Sequence, residues 1–296
     1  HLSEATELSG LFIDRGPVVQ LRESRGDAQV LDDPNPGIVY DGPMAVLVDR
    51  YSASASEIFA GAIQDYKRGI IIGQQTFGKG SVQNLFSLDR VMRGNDNGQL
   101  TLTIGKYYRI TGESTQHRGV LPDVELPSLV DTETVGESTR DTALPWDRIK
   151  PTQYKPYQKL DAEIGTLQTD EQQRTQTDPE LAYLLGDISA LEKIRSEKAV
   201  SLNIEKRKAE REQVQDDQLV RENARRAAAG QEPLATVEDL DEAEAPEAIL
   251  LNEASRIVAE MVGDRSAPGG RKQLLTGTAD ETTASNSRSS AAELSQ

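Results

Sequence analysis

At 296 residues and a net charge of −16, the chain has room for two folding units, and 36% hydrophobic with 4% aromatic content is lean for a fully packed globule. The acidic balance argues against a nucleic-acid partner, which needs clustered Lys and Arg, and the lack of cysteine excludes disulfides, thiol catalysis and cysteine-based zinc sites. No apolar run reaches the ~18 residues that span a bilayer. The chain opens at His1, directly in a helix-like phrase, and reads as a piece of a longer protein whose targeting signals lie elsewhere.

Residues 3–13 pattern as an amphipathic helix with Leu8, Leu11 and Phe12 on one side. Pro17 to Arg22 is expected as a strand, with Ala28 to Leu31 returning beside it before the loop at 32–37. Met44 to Val48 is a continuous apolar run that suits a strand buried on both faces. From Ala55 the period turns helical, with Ile58, Phe59, Ala62, Ile63 and Tyr66 on one face. Gly69 to Gly73 is too short and too β-branched for a helix, so strand, helix and strand form a βαβ unit. Val82 to Leu88 and Gln99 to Ile110 read as strands around the loop at 94–98, and Gly119 to Asp123 closes this first unit near residue 127.

Residues 128–143 read as a polar linker. An aromatic, proline-rich tract with Trp146, Tyr154 and Tyr157 follows and is expected to pack on the first unit. Asp178 as N-cap and Pro179 at the first position start a helix whose seam is Leu181, Leu184, Ile188, Leu191 and Ile194. Unbroken to the stop at Gly230, it would run about 75 Å. A second amphipathic helix spans Glu247 to Val262, so 144–262 forms a helical domain, and 263–296, rich in Ser, Thr, Ala and Gly, is expected to be disordered.

The chemistry centres on residues 44–83. Only His1 and His117 could complete a Ser-His-Asp triad, and neither sits in a promising context. Lysine can replace histidine as base if it is neutral, which requires the ordinary value of ~10.4 to fall by about 3 units in a dry setting. Lys79, between Gly78 and Gly80 and flanked by Phe77 and Val82, is compatible with that role and equally with an ordinary turn. Its phrase lacks the Ser/Thr directly after Lys that a phosphate-cradling loop needs. Ser54 is compatible with two readings. With Glu57 three residues on, it fits a capping box; at a strand's carboxyl end and a helix's mouth, it fits a nucleophile beside amide donors, Ala55 N–H first among them. Asp65, an acid at a helix C-terminus, calls for a partner, and Gln83 could hold the lysine through its amide oxygen.

The phrases SASASEIFAGAIQD (52–65), TFGKGSVQ (76–83) and GVLPD (119–123) resemble the carboxyl-terminal processing peptidases, the tail-specific proteases of peptidase family S41. The 25-residue step from Ser54 to Lys79 matches that family's nucleophile-to-base interval. The tract LPWDRIKPTQYKPY (144–157) and the charged helix after it resemble the Prc-type branch. The resemblance implies an α/β, ClpP/crotonase-like protease core followed by a mainly α-helical C-terminal domain. It further implies Ser54 as nucleophile, Lys79 as general base, Gln83 as the residue orienting the lysine and Asp65 in structural support. The implied activity is serine endopeptidase cleavage of proteins recognised by apolar C-terminal tails, in the periplasm, with no metal or other cofactor. The family's PDZ domain and its second oxyanion donor would lie upstream of His1, so this piece alone is expected to be weakly active or inactive. An adaptor protein and peripheral membrane association are compatible with this reading. The rival from another class is a non-catalytic helical scaffold that keeps the fold, with Ser54 as a helix cap.

Overall fold

The computed structural model describes residues 2–266 apart from 25, 34, 95 and 243–245. Its core is organised by strand β4 (Ile70–Gly73), every residue of which is buried. Strands β3 (Ala45–Val48) and β7 (Val124–Glu125) flank it in parallel, in the order β3-β4-β7. Helix α2 (Ala55–Asp65) crosses from β3 to β4 and completes the expected βαβ unit. Alternation along β4 separates two cores: Ile71 joins Ile58, Ile63 and Val48 on the α2 side, while Ile70 and Ile72 face away. A short strand with apolar layers on both faces has to be a continuous apolar run.

The second face is covered by the helical half. Helices α3 (Asp161–Thr177) and α6 (Pro246–Ser266) bring Ile164, Leu167, Ile257 and Met261 against Ile70 and Ile72. That layer reaches Ala45 but leaves Leu47 48% exposed, so β3 is not buried on both faces as its sequence suggested.

A separate antiparallel sheet, in the order β2-β1-β6-β5, is built from β1 (Pro17–Glu23), β2 (Gln29–Asp32), β5 (Ser81–Ser87) and β6 (Gln99–Tyr108). Helix α1 (Leu2–Gly10) inverts the expected face. Ala5, Thr6, Ser9 and Gly10 are buried, while Leu8 and Leu11 are 43% and 41% exposed. Small residues let α1 approach closely, and at Gly10 a Cβ would collide with the Asp33 carboxylate. Phe12 still turns inward, onto Phe59.

The aromatic tract lies on the first unit. Trp146 Nε1–H donates to Ser114 O (2.9 Å), Tyr154 and Tyr157 pack on Tyr66, and Tyr157 N–H donates to Tyr66 O (2.8 Å). Helix α4 (Pro179–Ser196) begins as its sequence suggested, with Asp178 accepting from Glu180 N–H. The single long helix does not form. The chain leaves helical geometry at 197–203, and Asn203 caps a new helix, α5 (Ile204–Ala228), by accepting from Glu205 N–H and Lys206 N–H. Helix α5 folds back antiparallel, pairing Arg221 with Asp187 and Arg225 with Glu180. These ion pairs join the hairpin, while the thinning seam stays open to solvent at Ile194, Leu202 and Val214. Helix α5 ends before Gly230, which adopts positive φ (69°) as a stop residue does. Helix α6 carries on to Ser266, past the expected boundary; the rest of the expected disordered tail lies outside the described residues. No helix among the described residues is long and apolar enough to cross a membrane.

Candidate active site

Strand β3 ends at Val48, and Asp49 turns the chain by accepting from Tyr51 N–H, Ser52 N–H and the Ser52 hydroxyl. Ser54 follows at φ 56°, ψ −111°, a backbone conformation costly for a residue with a Cβ. It is held there from both sides: its N–H donates to Glu57 Oε2 (2.8 Å), and its carbonyl accepts from Glu57 N–H, Ile58 N–H and the Tyr107 hydroxyl (3.2 Å). A sharp strand-to-helix corner of this kind presents a side chain outward at the strand's end. Ala55 is the first residue of α2, one of the amides that have no partner within a helix.

Glu57 is fully buried, and its reach exceeds a capping box. Besides Ser54 N–H it accepts from the Thr76 hydroxyl (2.5 Å), Gly78 N–H (2.7 Å) and Lys79 N–H (2.9 Å). Burial pushes its carboxyl above the usual value, and the hydrogen bonds from Thr76, Gly78, Ser54 and Lys79 pull the other way. The loop can approach so closely because Gly78 has φ 88° and no Cβ, which would lie 2.7 Å from the His117 carbonyl carbon. Tyr107, also buried, sets its hydroxyl between the carbonyls of Ser54 and Lys79. Burial, and then the charge of Glu57, raises that hydroxyl well above its ordinary value, so it remains a donor. Glu57 and Tyr107 together join the Ser54 corner to the Lys79 loop through main-chain atoms.

Lys79 is half-buried, and its ε-amine donates to Gln83 Oε1 (3.4 Å). Gln83 is steadied in turn by Thr103 on the paired strand (3.3 Å). No hydrogen bond among the described residues joins Lys79 Nζ to Ser54 Oγ. Asp65 is not at this site. At the far end of α2 it is buried and clamped by Arg109, whose Nη2 lies 2.5 Å and Nε 3.1 Å from its oxygens. His117 turns its ring to the Leu144 carbonyl (2.7 Å) and meets the Lys79 loop through its backbone, donating to Gly78 O (2.8 Å).

Ser54 and Ala55 at the mouth of α2 therefore lie beside the Lys79 loop, Gln83 of β5 meets the lysine amine, and Asp65 is held at the far end of α2. Sequence reasoning noticed Glu57 only as a cap and missed Tyr107. The S-x-x-E spacing was the available signal for the first. Nothing local marks the second, whose partners are 28 and 53 residues away.

Residues 1–126 match the family described as peptidase family S41, and residues 130–263 match the C-terminal domain of tail specific protease. A tail-specific protease of Haemophilus influenzae is 40% identical over 267 residues, covering 88% of this chain and 38% of that protein. A carboxy-terminal-processing protease of Bartonella bacilliformis is 40% identical over 124 residues, covering 42% of this chain and 27% of that protein. A solved photosystem II D1 C-terminal processing protease overlays with a TM-score of 0.37 at 34% identity, over 45% of this chain and 33% of its own. The chain thus spans well under half the length of each.

Proposed function

We propose that this chain, which belongs to peptidase family S41, carries the nucleophile and general base of a tail-specific serine endopeptidase. In this reading Lys79 takes the Ser54 hydroxyl proton as the serine oxygen attacks the scissile carbonyl. The tetrahedral intermediate collapses to an acyl-enzyme, the leaving amine gains the proton, and water then hydrolyses the ester. Ala55 N–H donates to the developing oxyanion, and Gln83 directs the lysine. The substrates are proteins with apolar C-terminal tails, met in the periplasm and delivered in some cases by an adaptor.

One observation carries the reading: a single buried carboxylate, Glu57, fixes the backbones of both Ser54 and Lys79. In this reading the lysine, now donating to Gln83, turns its amine to the serine hydroxyl while Glu57 holds both backbones. Since the chain spans 38% of the Haemophilus relative, the intact protein is the proposed enzyme. The 296-residue piece alone is proposed to turn over slowly, because loss of one oxyanion donor costs about 10²–10³ in rate.

A fluorophosphonate probe on the intact protein tests this. Labelling is expected at Ser54, and Lys79→Ala should abolish it while the protein stays folded. Retained labelling and cleavage in Lys79→Ala would refute the lysine base; full activity in Ser54→Ala would refute the nucleophile.

A further inference from the structure

We propose that Glu137, beyond the stretch that matches the peptidase family, is a positioning residue for Lys79. The inference rests on the Ser54/Lys79 reading and adds to it a second holder of the lysine loop. Glu57 grips that loop on one flank. The opposite flank is gripped by Glu137 on either side of Lys79. Before the lysine, Phe77 O accepts from Glu137 N–H (3.0 Å). After it, Gly80 N–H donates to Gln116 Oε1 (2.9 Å), while Gln116 Nε2 donates to Glu137 Oε1 (3.4 Å). An amide side chain has one acceptor oxygen and one donor nitrogen. With Glu137 engaging the nitrogen, the oxygen of the fully buried Gln116 is turned to Gly80.

Glu137 is itself 6% exposed, and its Oε2 is buried without a hydrogen bond, 3.9 Å from Arg140 Nε. A buried carboxylate oxygen with only a long ion pair and no hydrogen bond is costly and calls for a role. The segment leading into Glu137 is anchored along its length. The buried Arg50 guanidinium donates to Val135 O (2.7 Å), Thr132 O (3.4 Å) and, on the loop side, Thr76 O (2.5 Å). Gly136 crosses directly over that guanidinium, where a Cβ would lie 2.1 Å from Arg50 Nη2. Further back, Leu129 packs against Leu181, Leu184 and Ile249, and its carbonyl accepts from Arg195 of α4 (2.9 Å). A continuous run of contacts therefore joins the helical half to the lysine loop, with Glu137 as its last member.

The test uses the intact protein and compares Glu137→Ala, Glu137→Gln and Gln116→Met, with rates taken per folded molecule. Glu137→Ala is expected to lower kcat about 10- to 100-fold, since small displacements of a reacting group cost that much, with KM within about twofold. Glu137→Gln should recover most of the rate, because its amide oxygen still accepts from Gln116. Gln116→Met should repeat the kcat loss with Glu137 intact. A Glu137→Ala kcat within about twofold of wild type, a loss confined to KM, or no rescue by Glu137→Gln overturns the proposal. If Glu137→Ala does not fold, Gln116→Met decides, and an undiminished kcat there overturns it. Lys79→Ala run alongside separates the two readings: persistent labelling sinks the lysine base itself, whereas a dead Lys79→Ala beside a normal Glu137→Ala sinks only the positioning role.

Discussion

Ser54 and Lys79, 25 residues apart in the chain, donate their backbone amides to the same oxygen, Glu57 Oε2, at 2.8 and 2.9 Å. Their separation is therefore set by one carboxylate rather than by two independent loops. The Ser54 amide belongs to a residue at a costly positive φ, and the Lys79 amide sits between two permissive glycines, so the shared carboxylate is what holds the loop in place. A buried acceptor that engages several donors is worth more to geometry than to net stability, since hydrogen bonds exchange with water on unfolding.

Glu57→Gln should expose that dependence. The replacement keeps the size of the side chain but turns a donor toward at least one of the N–H and O–H groups that Glu57 now accepts. Labelling of Ser54 is expected to slow by about 10²-fold, with a stability loss of about 1–3 kcal/mol. Urea unfolding combined with labelling kinetics measures both. A variant that labels at the wild-type rate would show that the shared carboxylate does not govern the pair.

Asp65 makes the opposite case. It is buried against Arg109 and remote from the lysine, so Asp65→Asn should destabilise by about 3–5 kcal/mol, the usual cost of removing one partner of a buried ion pair. Activity per folded molecule should persist. A large kcat loss in a fully folded Asp65→Asn protein would overturn its structural assignment.

Gly78→Ala tests the loop's path. The glycine has φ 88°, and an added Cβ would lie 2.7 Å from the His117 carbonyl, so the loop must move or strain by about 1–3 kcal/mol. Both a lower melting midpoint and slower Ser54 labelling are expected. An unperturbed melt would mean that the loop relaxes freely.

Glu222 gives the helical half a pH dependence. It is fully buried, and burial opposes its ionisation, but hydrogen bonds and charge from Arg225 and Arg226 outweigh that and hold its carboxyl below the usual value. A depressed folded value means the stabilisation is complete above the unfolded value, about 4.3, and is lost as pH falls through the folded one. Helical signal should become easier to unfold as pH drops below about 4. Glu222→Gln should flatten that slope and, by stripping buried Arg225 of one partner, cost about 3–5 kcal/mol at neutral pH. Circular dichroism melts from pH 2 to 7 read both effects, and an unchanged acid slope in the variant would reject the assignment.

Much of this architecture was legible because it depends on neighbours a few residues apart. The βαβ unit follows from two short β-branched runs around a 3.6-period stretch, and the start of α4 follows from Asp178 and Pro179. The inward face of α1 was misjudged because burial there goes to the residues that permit close approach, not to the most apolar ones. The break before α5 was missed because an interrupted and a continuous helix share the same seam. What differs is the ion pairing of Arg221 and Arg225 with Asp187 and Glu180.

By itself the sequence singled out a serine at a helix mouth, a lysine flanked by glycines and an acid in want of a partner, since residue type and short spacing are local properties. Only the tertiary structure decided that Glu57 spans serine and lysine, that Arg109 answers Asp65, and that the linker segment carrying Glu137 lies along the lysine loop. Those links pair groups tens of residues apart, and no periodicity or capping rule acts over that distance. They exist because burial removes water from polar atoms and leaves each to find whichever partner the packed chain brings near.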